Sequence, residues 1–489
     1  MKTLRTILTA FIAILCVPCV SAVEGKPNIV LIFIDDMGYA DIGPFGNKDV
    51  RTPHLDKFAA EGRKFTSFYA TPVCSMSRAS LMTGCYNVRV SIPGVLFPNS
   101  NIGLHTDEIT LAEIVKPKGY ATCAIGKWHL GHHPEFLPTR QGFDHYLGVP
   151  YSNDMTIDPV NARFAKDCVF RDGMTEAKAR EGGIKHVVPL MRGEEIAEYP
   201  ADQSHITQRY TDEAVKFIRA HKDGPFFVYL PHTMIHNPLA ASETFKGKSK
   251  LGLLGDAIEE IDWSVGQIMA TLKELKLDGN TLVIFTSDNG PAGRAAPPFR
   301  GNKTTTWEGG VREPCIMRWP GKIPAGTTCE QIAGNIDMLS TFAKLVGAEV
   351  PKDRVIDGRD ITPLMFEAKP GPARDTHLYF SGKHGLSAIR QGQWKLFLTE
   401  AHGGDKGAQG TKEAAREKKR EKKKASKATG AEADSGEFAL YDLATDLGET
   451  KDVSAEHPDI VAKLRAEATQ REAEIHQHQR PAGEHKTNH

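Results

Sequence analysis

Cys74 sits in TPVCSMSRASLMTG, residues 71–84, directly ahead of a serine- and arginine-bearing stretch that reads as the first turn of a helix. A helix N-terminus and a nearby cation both favour a thiolate, so a thiol here is expected to be unusually acidic. Three readings follow from the residues alone. Cys74 is a tuned reactive group, the precursor of one, or a small buried side chain with no chemical part.

Other residues with chemical potential stand just past apolar runs that read as strands. Asp35 and Asp36 follow residues 29–34, and Lys127 and His129 follow a strand ending near Ile125. His232 and His236 follow residues 226–230, and Asp288 and Asn289 follow residues 281–286. In open α/β sheets the ligand crevice lies beyond the carboxyl ends of the strands, so these four groups are expected to converge. Singly, each has an ordinary explanation. Asp35-Asp36 suits a helix cap, Asp288-Asn289-Gly290 suits a turn, and a lone histidine is more often structural. Together, three carboxylates and one amide oxygen without a cysteine or histidine partner describe a hard-cation site for Ca²⁺ or Mg²⁺. A cation also explains how adjacent carboxylates share one strand end.

The elements that must position these groups repeat one plan, an amphipathic helix followed by an apolar strand. Helices are expected from Asp107 and from about Thr211, with strands near residues 120–125 and 226–230. Leu254, Ile258, Ile261, Val265, Ile268, Leu272 and Leu275 recur at helical spacing ahead of the strand 281–286. This alternation predicts an α/β layered fold around a largely parallel sheet. After about Pro370 the pattern changes to short antiparallel strands, THLYFSG, LSAIRQGQWKLFL and EFALYDLATD, with a helix from about Pro458.

The chain has 489 residues with 61 basic and 61 acidic side chains, which suits one large domain plus a smaller one. Zero formal net charge argues against a general nucleic-acid binder. Residues 1–22 read as a secretory signal cleaved after Ala22, so export to the periplasm or medium is expected, without stable membrane insertion. Cys16 and Cys19 fall in that leader, leaving six cysteines whose wide spacing permits disulfides but suggests no zinc pairing. The expected division is a catalytic domain over 23–369, a C-terminal subdomain over 370–475 and a flexible tail over 476–489. A Lys-rich insertion at about 402–436 reads as solvated chain rather than a polyanion-binding arm.

CSMSRASLMTG resembles the signature of the type I sulfatases, Cys/Ser-x-Pro-x-Arg followed by a Thr-Gly helix segment. PNIVLIFIDDMGYADIG, GKWHLG, FTSDNGP and GNKTTTWEGGVREP resemble that family's other blocks in the same order. Within the family, the chain is most similar to arylsulfatase A-like and galactosamine-sulfatase-like members. The resemblance implies an alkaline-phosphatase-like sandwich and a sulfuric-ester hydrolase. It implies that a maturation enzyme converts Cys74 to Cα-formylglycine, whose hydrate is the nucleophile. Arg78 would stabilise that hydrate and His129 would orient it. Asp35, Asp36, Asp288 and Asn289, with the matured residue 74, would hold the cation, with Ca²⁺ preferred. Lys127, Lys303 and Ser152 would contact sulfate, and His236 would protonate the leaving alcohol.

One departure stands out: Met76 occupies the position where the family usually carries proline. The expected substrate is a sulfated polysaccharide, with specificity in the irregular segment 154–202 and its basic residues. Phosphate or phosphonate ester hydrolysis, and an unconverted glycan-binding homologue, are the competing readings.

Overall fold

The computed structural model of the protein describes residues 25–382, 385–398 and 438–486. The signal sequence and the Lys-rich insertion lie outside the described residues.

Strand Asn28–Ile34 is buried along its whole length. Ile29, Leu31 and Phe33 enter one apolar cluster, while Val30, Ile32 and Ile34 enter another on the opposite face. Such a strand belongs at the centre of a covered sheet, and its unbroken apolar run is the sequence mark of that position. It pairs in parallel with Thr281–Ser287 on one side and Phe226–Pro231 on the other. Ala121–Ile125 and His145–Gly148 extend the parallel set. Among the described residues the sheet has twelve strands, with Arg312–Arg318 antiparallel to Thr281–Ser287 and Arg63–Tyr69 antiparallel in turn to Arg312–Arg318. Helices Ile206–Ala220 and Gly252–Glu274 cover one face. Cys74–Thr83 and Met338–Val346 cover the other. The fold is the expected layered α/β sandwich.

Pairing Phe33 with Pro231, Ile34 with Ser287 and Ala124 with Tyr229 brings four strand ends level at one edge. Gly126 is the hinge by which the chain leaves that edge. Its φ is +133°, and a Cβ there would lie 1.9 Å from the Pro231 carbonyl oxygen. Only glycine allows this approach.

Several expectations change. The helix expected from Asp107 is Leu111–Val115, because Thr110 and Glu113 form a capping box that fixes its start. The helix expected at Thr211 begins earlier, at Ile206. Residues 154–202, expected as irregular, supply strands Phe164–Phe170, Leu190–Arg192 and Glu195–Tyr199, which extend the main sheet at one edge. Several of its basic side chains are already paired: Arg163 with Glu194, Arg171 with Asp202, and Arg180 with Glu176. All six cysteines among the described residues are free, so no disulfide forms there.

The smaller unit is a four-stranded antiparallel sheet of Thr376–Ser381, Gly385–Gln391, Trp394–Phe397 and Ala439–Asp442. Leu378, Phe380, Leu396 and Leu440 pack with Leu464 and Ala468 of helix Pro458–Gln477, and Met76 joins that cluster. On the other face, Tyr379, Phe397 and Tyr441 pack on Tyr69 and Trp307. A buried ionic network stitches the two sheets together. Lys395 lies 2.8 Å from both Glu308 and Glu449, and Glu308 also accepts from the Tyr69 hydroxyl at 2.6 Å. The segment expected as a flexible tail is fastened up to Lys486. Gly483–Glu484 pairs with Ile102–Gly103, and Arg480 binds Glu108 at 2.6 Å.

Candidate active site

The level strand ends deliver their side chains to one buried pocket against the start of helix Cys74–Thr83. Cys74 is the first helical residue, and the helix is buried throughout. Arg78, one turn on, donates to Asp288 Oδ2 from Nη2 at 2.8 Å and from Nε at 3.2 Å. A third donation, 2.7 Å to the Lys127 carbonyl, ties the helix to the strand end at Ile125. Lys127 donates to Asp35 at 2.6 Å and lies 3.3 Å from Ser152 Oγ. Lys303 reaches Asp36 at 2.5 Å, and Asn289 donates to the same Asp36 oxygen at 2.7 Å. His236 sits at the rim, its ring nitrogens 3.3 and 3.4 Å from Ser152 Oγ and Nε2 3.8 Å from Asp36. These contacts join Asp35, Asp36, Arg78, Lys127, Ser152, His236, Asp288, Asn289 and Lys303, while Cys74 and His129 feel the charge of Lys127 and His232 lies apart.

His232 is structural. Its Nε2 pairs with Ser264 Oγ at 3.1 Å beneath the sheet, and burial pushes its pKa down to about 3. Lys127 and His129, which alternate along the chain, serve different neighbours. Lys127 turns to Asp35, whereas His129 Nε2 donates to the Leu96 carbonyl at 2.8 Å. Asp36 and His129 both hold φ near +62°, backbone strain of the kind that collects at functional sites.

Charge and burial set the protonation states. Burial raises the Asp35 carboxyl, but Lys127, with His236, Arg78 and Lys303, outweighs it and holds Asp35 below the carboxylate range. Burial and the neighbouring Asp35 push Asp288 up to about 7, despite Arg78. Burial lowers His129 strongly, helped by Lys127 and Arg78, so the ring is neutral. With Nε2–H donated to Leu96, its buried Nδ1 is an unpartnered acceptor. The acidic thiol expected from the helix start is overturned. Burial pushes Cys74 up, more than Lys127 and Lys303 draw it down. As a plain thiol, Cys74 is a poor nucleophile at neutral pH.

Asp35 Oδ1, Asp36 Oδ2 and Asn289 Oδ1 are buried without a hydrogen-bond partner. Unpaired buried oxygens are costly, and here they belong to residues of one pocket. This all-oxygen set fits a hard divalent cation. Asp288 is engaged on both oxygens, by Arg78 and by the Asp36 amide at 3.2 Å.

Sequence reasoning missed three contributors. Ser75 Oγ accepts from the Leu96 amide at 3.1 Å, so it fixes the carbonyl that holds His129. Arg294 clamps Asp41 at 2.8 Å and reaches the Asp36 carbonyl at 3.2 Å. Glu313 is fully buried with both oxygens unpartnered, and burial beside Asp288 keeps it protonated. Glu313 stands in the quoted block WEGGVREP, but nothing in its spacing distinguishes it from a surface carboxylate.

Comparisons with known proteins cover most of the chain. Residues 27–348 match the family model described as Sulfatase. Residues 301–397 match the C-terminal region of N-sulphoglucosamine sulphohydrolase, and 372–488 that of aryl-sulfatase. The chain is 36% identical to steryl-sulfatase of Homo sapiens over 458 residues, covering 77% of each protein. It is 39% identical to arylsulfatase A of Bos taurus over 402 residues, covering 78% of this chain and 76% of the relative. Among solved structures, a sulfatase from Pseudoalteromonas sp. superposes with a TM-score of 0.75 at 27% identity, covering 94% of this chain and 92% of that one.

Proposed function

This chain belongs to the sulfatase family, and from that premise we propose that it releases inorganic sulfate from a sulfated carbohydrate, using residue 74 matured to Cα-formylglycine. The observation that carries the reading is the pocket itself. Cys74, too well buried to act as a thiolate, faces the charges of Lys127 and Lys303 beside unpartnered carboxylate and amide oxygens. The carbohydrate follows from relatives such as N-acetylgalactosamine-6-sulfatase of Sus scrofa, 39% identical over 403 residues and covering 77% of this chain and 72% of the relative.

The residues divide the work by position. Lys127 and Lys303 neutralise the sulfuryl oxygens, and Ser152 offers a hydroxyl beside Lys127. Neutral His129 accepts a proton at Nδ1 while Leu96 holds its other nitrogen. His236, at the rim where an alcohol departs, donates the proton that the leaving oxygen needs. Arg78 anchors Asp288 and keeps the helix start in register with the strand edge. Asp35, Asp36, Asp288 and Asn289 would hold the divalent cation, Ca²⁺ by preference, which supplies a Lewis-acidic contact to one sulfate oxygen. The aldehyde hydrate would supply paired hydroxyls, one to attack sulfur and one to let the aldehyde re-form.

We assign residues 23–369 to the catalytic domain and 370–475 to a subdomain that closes over it. Export, directed by residues 1–22, would bring the chain to its maturation enzyme before folding buries Cys74. The leading test is mass spectrometry of the tryptic peptide FTSFYATPVCSMSR from the native host. Aldehyde at position 74 supports the reading, and thiol alone in fully active protein sinks it. Turnover of 4-nitrophenyl sulfate should exceed that of 4-nitrophenyl phosphate, and the reverse would favour the phosphate-ester reading. Chelator-treated enzyme should lose activity and regain it with Ca²⁺.

A further inference from the structure

A second cluster of metal-binding side chains lies outside the catalytic pocket. His132 Nε2 is 3.1 Å from Asp158 Oδ2. His133, its chain neighbour, lies tilted against it with ring centroids 4.2 Å apart. One donor atom from each of His132, His133 and Asp158 falls within 4.8 Å of the other two. His133 is the anomaly. It is only 2% exposed, and neither ring nitrogen has a hydrogen-bond partner. Leaving a buried imidazole unsatisfied is costly, so a native structure needs a reason for it.

The surroundings supply one. A cleft of about 730 Å³ opens beside the cluster, with Phe97, Asn99, Asn101, His133, Asp158 and Asn161 among its walls. An ion could reach the donors from solvent and keep an open coordination position toward the cleft. Asp158 is oriented. Its Oδ1 accepts from the Val160 amide at 3.0 Å and the Asn161 amide at 3.3 Å, and its Oδ2 accepts from Asn161 Nδ2 at 2.8 Å. From the other side, His485 of the fastened tail stacks on His133 at 3.8 Å with planes 4° apart, its own Nδ1 held by Glu135 at 2.7 Å. The ligand set is therefore braced before any ion arrives.

We propose that His132, His133 and Asp158 form a second metal site that takes a borderline divalent ion of the Zn²⁺ class. Two imidazoles and one carboxylate suit such an ion, whereas the all-oxygen catalytic pocket suits a hard cation. The two sites are thus chemically sorted, and saturating Ca²⁺ leaves the second one open.

The test is equilibrium dialysis of the full-length protein, stripped with chelator and then saturated with Ca²⁺, against micromolar Zn²⁺. Wild type should retain one Zn²⁺ per chain more than His133→Ala. Affinity should fall about a hundredfold or more on losing a ligand, since even outer partners are worth about 10–100-fold. His132→Gln, at a half-buried rather than fully enclosed position, gives an independent answer if His133→Ala misfolds. Asp36→Asn and the tail variant His476→Ala/His478→Ala should keep the ion. Co²⁺ should give a visible d–d band that the His132 variant loses. No Zn²⁺ bound by wild type, or equal Zn²⁺ in both ligand variants, overturns the proposal.

Discussion

Lys127 shows how one side chain carries several parts of the site. It neutralises Asp35 at 2.6 Å, neighbours Ser152 and offers its carbonyl to Arg78. Lys127→Ala should lower kcat/KM for 4-nitrophenyl sulfate by about 10²–10³-fold, the usual cost of a preorganised electrostatic group. Ser75 acts one step removed, through Leu96, on His129. Ser75→Ala should lower kcat by about tenfold with little change in KM, because a hydrogen bond of about 1 kcal/mol holds the ring's aim. Ser75→Thr, which keeps the hydroxyl, should rescue most of the loss in the same steady-state assay. An equal rise in KM would instead point to a binding role.

At the scale of elements, the Cys74 helix explains why Met76 replaces proline without cost to the fold. Met76 is the third helical residue, and the first helical bond runs from the Ser77 amide to the Val73 carbonyl. The residue 76 amide therefore has no partner to lose, and proline or methionine both fit. The Met76 side chain instead packs with Tyr86, Ile336, Leu378 and Phe380 under the small sheet. Met76→Ala should cost about 2–5 kcal/mol in denaturant unfolding, as for other buried methionines. Elsewhere, Glu213 on helix Ile206–Ala220 faces His145 at 2.9 Å and Arg192 at 3.2 Å. The His145 contact first, then Arg192, draws Glu213 down to about 2 against burial. A depressed carboxylate stabilises above its ordinary pKa of 4.5 and loses that effect as pH falls through about 2. Glu213→Gln should therefore be about 0.5–1 kcal/mol less stable at pH 7, discounted for partial exposure, and the gap should close in thermal melts toward pH 2.

Across the whole molecule, the two sheets are joined by charge as well as by apolar packing. Glu308 and Glu449 are both buried and share Lys395; Glu308 also pairs with Arg312 at 3.2 Å, so Glu449 is the carboxylate that depends most on the lysine. Removing one partner of such a group leaves a buried charge uncompensated, which costs about 3–5 kcal/mol. Lys395→Met should lower stability by that amount in equilibrium unfolding, with the small sheet opening first in hydrogen exchange. Simultaneous, cooperative loss of both sheets would show that they form a single unfolding unit. Among the described residues no helix is long and apolar enough to cross a membrane.

The sequence by itself determined the covered parallel sheet and the convergence of Asp35, Lys127, His236 and Asp288 at its edge. Both depend on local period and on where each strand stops, which neighbouring residues encode. It also carried the family blocks in order. Only the tertiary structure decided the rest. Cys74 lies at a helix start, where local rules make a thiol acidic, yet burial by distant elements reverses the sign. Ser75 gains its role from Leu96, a partner outside its own helix, Glu313 its raised carboxyl from burial beside Asp288, and the tail its place from pairing with residues 102–103. Spacing along the chain records which elements form. Desolvation and long-range contact, which decide protonation and partnership, arise only when those elements pack.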